Sequence, residues 1–98
     1  MGEKLKIVRG SGNLFLDIGF SPNEAQNLQL RSELMNKIEH FVRSGGLTKK
    51  ECAARMGVTQ PRLSELLKGK IKKFSLDALV TMLGHAGMRV RLIVKKVA

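Results

Sequence analysis

The stretch Leu47–Gly69, LTKKECAARMGVTQPRLSELLKG, decides the fold. Thr48 is a good helix cap, and Glu51 follows at the spacing that lets cap and carboxylate satisfy each other's backbone groups, so a helix starts there. Cys52, Ala53 and Met56 then make one apolar stripe, while Lys49, Lys50 and Arg55 point elsewhere. Gly57 suits the left-handed position just past a helix end. Thr59 can cap a second helix in which Leu63, Leu66 and Leu67 share a face, and Gly69 is the next stop signal. The second helix must cross the first closely, and Ala53, midway along the first, is small enough to allow it.

Two short crossed helices of this kind form a helix-turn-helix. The outward side of the second carries Pro61, Ser64, Glu65 and Lys68, with Gln60 and Arg62 on its flanks and its first turn protruding furthest. Gln and Arg can each make two hydrogen bonds to a base edge in the major groove, Gln to adenine and Arg to guanine. Thr59, Gln60, Pro61, Arg62, Ser64 and Glu65 are therefore the expected base contacts. Thr48, Lys49, Lys68, Lys70, Lys72 and Lys73 are the expected phosphate contacts, the last three in a basic loop around Ile71.

The stretch resembles the helix-turn-helix of the phage Cro and repressor superfamily, the xenobiotic-response-element type. The resemblance lies in the Leu47-Thr48 opening, Ala53, Gly57, the Thr59-Gln60 pair, Leu63-Ser64 and the closing Gly69. The flanking pieces NLFLDIGF (Asn13–Phe20) and FSLDALVTMLGHAGMRVRLIV (Phe74–Val94) are similar to a narrower group, the HigA-type antitoxin regulators of bacterial toxin–antitoxin pairs. The resemblance implies a mainly α, lambda-repressor-like domain of four to five helices. It further implies a transcriptional repressor that controls its own operon and blocks a cognate ribonuclease toxin. A phage-like regulator without a toxin is the alternative.

Charge agrees with a polyanionic partner. Of 98 residues, 18 are Lys or Arg and 8 Asp or Glu, a net charge of +10. Nine basic residues run from Arg43 to Lys73, against only Glu51 and Glu65, so this third of the chain, which contains the motif and its loop, carries +7. Simple solvation of a surface is the competing reading, and it does not account for this coincidence with the motif.

Outside the motif, residues 1–20 are expected to be an N-terminal segment, partly extended or flexible, ahead of a domain spanning 21–98. Lys4–Val8 alternates briefly, and Gly10-Ser11-Gly12 breaks any order. Asn13–Phe20 is more apolar than a free tail needs, which leaves packing on its own domain or on a partner. Ser21-Pro22-Asn23-Glu24 opens a long helix to about Ser44, with Leu30, Leu34, Ile38, Phe41 and Val42 as its buried stripe. Ser75 caps a further helix, its apolar face formed by Leu76, Leu79, Val80, Leu83 and Ala86, with Gly87 closing it. Met88–Val97 turns to period two, Val90, Leu92 and Val94 against Arg89, Arg91 and Lys95, and is expected to be a C-terminal β-strand. A lone strand needs a partner: the N-terminal segment, a second copy, or another protein. A homodimer on a palindromic double-stranded DNA operator is the expected assembly, because one reader of this size covers few base pairs.

A single cysteine excludes an internal disulfide, and Cys52 lies on an apolar stripe, so packing outweighs a redox role. His40 and His85 lack companions for a metal site; His85 is expected near a helix C-terminus, where it favours the dipole. No cofactor is expected. There is no Gly-rich phosphate loop, no HExxH, and no base at motif spacing from Ser64, so an enzyme is not expected. With no run of eighteen apolar residues and no signal-type N-terminus, the expected setting is the cytoplasm, without a membrane partner.

Overall fold

The structure, a computed structural model, describes residues 14–96. Over that range the chain runs α1 (Leu14–Asp17), α2 (Pro22–Ser44), α3 (Lys49–Met56), α4 (Gln60–Leu67), a 3₁₀ turn (Ile71–Lys73) and α5 (Leu76–His85). The expected pairing segment Lys4–Val8, the Gly10–Gly12 break and Val97 lie outside the described residues.

One device repeats at the start of the four longer helices. Ser21, Thr48, Thr59 and Ser75 each stand in an extended backbone conformation, and each hydroxyl accepts the backbone N–H three residues later, from Glu24, Glu51, Arg62 and Ala78. The residue before each cap is apolar (Phe20, Leu47, Val58, Phe74), and five positions beyond it lies Ala25, Cys52, Leu63 or Leu79. All four of those are fully buried. This is the arrangement of a hydrophobic staple, in which the chain enters the helix pinned on its apolar side. Three of these helices, α3, α4 and α5, are short, so their stability comes from such ends and from packing rather than from propensity.

The core gathers Met35 and Ile38 of α2, Cys52, Ala53 and Met56 of α3, Leu63 and Leu66 of α4, Leu79, Met82 and Leu83 of α5, and Phe74 between them. The long helix buries a line rotated from the expected stripe: Ala25, Leu28, Met35 and Ile38 are buried, whereas Leu30, Leu34, Phe41 and Val42 are half-buried. The reason is that α2 is covered by different elements along its length, α1 lying on it as well as α4, α5 and the 3₁₀ turn. On α5, Val80 is exposed and Met82 takes its expected place in the core. An unbranched, adaptable side chain fills the gap left among three helices.

Among the described residues, the expected C-terminal strand over Met88–Val97 is not present. Met88 donates its N–H to the Leu83 carbonyl (2.9 Å) and closes α5 past Gly87, whose φ is +88°. Met88 and Val90 then pack on the core, but residues 89–96 form no strand. Leu92, Ile93 and Val94 are 74%, 75% and 84% exposed. A strand is defined by a neighbour that takes its backbone hydrogen bonds, and no described segment of this chain lies alongside.

The apolar N-terminal piece is helical over Leu14–Asp17. It closes with Phe20 N–H donating to the Phe15 carbonyl (3.0 Å) and the two rings meeting edge to face at 6.1 Å. Among the described residues, no helix is long and apolar enough to cross a membrane.

Candidate nucleic-acid interface

The capping box at the start of α3 forms in both directions. Glu51 N–H donates to Thr48 Oγ1 (3.1 Å), and Thr48 N–H donates to Glu51 Oε1 (2.8 Å). The Thr48 backbone N–H, then the Thr48 hydroxyl and more weakly Arg55, hold the Glu51 carboxyl below its ordinary range against a small effect of burial. This fixes the α3 N-terminus, where Thr48, Lys49 and Lys50 are exposed.

Between α3 and α4, Gly57 has φ +73° and returns its N–H to the Ala53 and Ala54 carbonyls. A Cβ here would lie 2.7 Å from Nδ1 of His85, so the position needs glycine both for conformation and for space. His85 Nδ1 meets the Met56 carbonyl at 3.2 Å. The end of α5 therefore braces the turn that sets the angle of α4, a role the sequence did not reveal because the partners are 29 residues apart.

On α4, Leu63 and Leu66 are buried, while Thr59, Gln60, Pro61 and Lys68 are exposed. Arg62, Ser64 and Glu65 are half-buried on its flanks. Thr59 has its hydroxyl oxygen engaged by the Arg62 N–H (3.2 Å), leaving the hydroxyl proton for another acceptor. Gln60 and Pro61, in the first turn, are the expected base contacts that stand clear.

Arg62 and Glu65 do not stand clear. The Arg62 guanidinium lies over the Phe74 ring, its central carbon 4.0 Å from the ring centroid, and its Nη1 is 3.8 Å from Glu65 Oε1. The other oxygen of Glu65 meets Lys73 Nζ at 3.3 Å. Phe74 was missed as a functional neighbour. The signal that could have found it is the apolar residue directly before the Ser75 cap, the same staple position held by Leu47 and Val58.

The basic loop is built into the same unit. Lys70 N–H donates to the Glu65 carbonyl (3.2 Å), and Arg31 of α2 donates from Nη1 to the Ile71 carbonyl (3.3 Å) while its Nε holds Asn27 Oδ1 (2.6 Å). Ile71 packs on the core, and Lys70, Lys72 and Lys73 are left exposed around it. Lys72 Nζ lies 5.8 Å above the Phe20 ring. An exposed helix turn able to form hydrogen bonds, flanked by lysines on a fixed loop, suits a polyanion with readable edges.

Residues 14–95 match a family model described as a helix-turn-helix domain. The fold is similar to that of a solved structure described as a candidate XRE family transcriptional regulator. That protein is 27% identical, with 74% of this chain and 82% of that chain covered, at a TM-score of 0.68. No curated protein matches. With the stapled helix pair at 47–69 in place and the family match running through nearly all the described residues, the chain belongs to the helix-turn-helix domain family.

Proposed function

We propose that this protein is a sequence-specific DNA-binding transcriptional repressor that acts as a homodimer on a palindromic operator. The observation that carries the reading is the α4 unit: Gln60 and Pro61 exposed at its first turn, with the lysines of the loop held against it through Glu65. The base-reading set is Thr59, Gln60, Pro61, Arg62 and Ser64, with Glu65 on the same face but paired with Arg62 and Lys73, and the phosphate set is Thr48, Lys49, Lys68, Lys70, Lys72 and Lys73. Membership of a helix-turn-helix family and likeness to a candidate transcriptional regulator support it.

Selection from a randomised duplex library tests this reading. The wild-type protein is expected to enrich one sequence, and Gln60→Ala is expected to flatten its preference at a single position, an adenine, at a cost of about 1–3 kcal/mol. Unchanged specificity in Gln60→Ala would remove that residue from the groove.

The finer reading is that the protein is the antitoxin of a type II toxin–antitoxin pair that represses its own operon. The similarity of Asn13–Phe20 and Phe74–Val94 to HigA-type antitoxins supports it. So do apolar side chains for which α4 has no use: Leu14 on α1 and Ile18 just past it are 56% and 62% exposed, and Leu92–Val94 more so. Co-expression with the product of the neighbouring reading frame is expected to give a stable complex and to rescue growth. If the two proteins neither co-purify nor restore growth, a stand-alone regulator is the better description.

A further inference from the structure

The Glu65 carboxylate lies at the centre of the reader without facing open solvent alone. One oxygen is 3.8 Å from Arg62 Nη1 and the other 3.3 Å from Lys73 Nζ. Below, the fully buried Phe74 ring has its centroid 4.0 Å from the central carbon of the Arg62 guanidinium. A guanidinium placed over a ring and within ion-pair reach of a carboxylate gives up part of its rotamer freedom before any ligand arrives. Its remaining N–H groups then present a fixed fork, the form needed for two parallel hydrogen bonds to the acceptor edge of a guanine. A carboxylate already shared between two cations is, by contrast, a poor candidate for direct reading of a cytosine amino group.

We infer that Glu65 is a positioning residue: it orients Arg62 for guanine and restrains Lys73 from the backbone, and it does not itself read a base. The inference rests on the assignment of α4 as the DNA reader. Two consequences separate it from a direct contact. Loss of the carboxylate alters specificity at the base pair that Arg62 reads and at no other. It also frees a cation, so binding to unrelated DNA strengthens rather than weakens.

The test uses the full-length protein and the duplex it enriches from a randomised library, with every single-base variant of that duplex. Affinities are measured for the wild type, Arg62→Ala, Glu65→Gln, Glu65→Asp and the double variant Arg62→Ala/Glu65→Gln, each with a thermal melt to establish folding. Arg62→Ala and Glu65→Gln are expected to flatten preference at the same base pair by roughly tenfold. The double variant should lose no more than Arg62→Ala alone, and Glu65→Asp should retain much of the preference. Glu65→Gln should bind an unrelated duplex more tightly than the wild type. Loss of preference at a different base pair, additive losses in the double variant, or an unaltered preference in Glu65→Gln would each overturn the positioning role. A wild-type protein that enriches no sequence would instead overturn the DNA-reading assignment beneath it.

Discussion

Affinity for the enriched duplex is expected to fall by two to three orders of magnitude per protomer as monovalent salt rises from about 50 to about 200 mM. Five lysines carry this expectation: Lys49 at the start of α3, Lys68 at the end of α4, and Lys70, Lys72 and Lys73 around the 3₁₀ turn, all of them exposed. Each lysine that neutralises a phosphate releases condensed counterions, and the logarithm of affinity drops by about 0.9 per contact for each decade of salt. Five contacts then give a slope near −4.5, or roughly 500-fold over that fourfold change in salt. Lys73 competes for Glu65, so it contributes less than the others unless DNA draws it away. A titration of fluorescence anisotropy against salt reads the slope directly. Lys72→Ala should make the slope shallower by about one and weaken all sequences alike. A flat salt response would leave the +7 of residues 43–73 as surface solvation and end the nucleic-acid reading.

The parts of this site that were legible in the sequence are those fixed by neighbours along the chain. A hydroxyl at a cap and an acceptor three residues on, Thr48 with Glu51, are local chemistry, and both bonds form as expected. The left-handed Gly57 and the buried Leu63–Leu66 face follow from the same short-range rules. What failed depended on contacts between elements. Periodicity on α2 indicates an apolar side but not which helices cover each turn, and so it favoured Leu30 and Leu34 over Ala25 and Met35. Period two over 88–94 indicates only that the segment could pair, while a strand requires a neighbour that no described part of the chain supplies. Arg62 read alone is a free base reader. Read with Phe74, twelve positions on, and with Glu65, it is a held one.

Phe74→Ala is expected to cost about 3–5 kcal/mol of stability, the range for removing a buried aromatic side chain. Phe74 is fully buried although it sits in a loop. Its backbone N–H returns to the Ile71 carbonyl (3.3 Å), which ties it to the basic turn, and its ring belongs to the cluster joining α2, α3, α4 and α5. It precedes the Ser75 cap, so its loss also unpins the start of α5. In a domain whose whole stability lies in the range of about 5–15 kcal/mol, such a loss removes a large part of the margin. The melting temperature should drop by at least about 12 °C, given some 4–8 °C per kcal/mol at this size. Phe74→Leu separates packing from stacking. Leucine keeps an apolar occupant, and a hydrophobic exchange of this kind is expected to cost under about 1.5 kcal/mol if the site repacks around it. It offers Arg62 no π face, however. The leucine variant should therefore fold and bind DNA while losing preference at the base pair assigned to Arg62. Urea unfolding of both variants beside the duplex panel measures the two effects independently. If Phe74→Ala lowers stability by less than about 1 kcal/mol, far below the usual range for such a change, the ring is not what joins the reader to the core. If Phe74→Leu keeps full base preference, the fork of Arg62 is set by Glu65 alone.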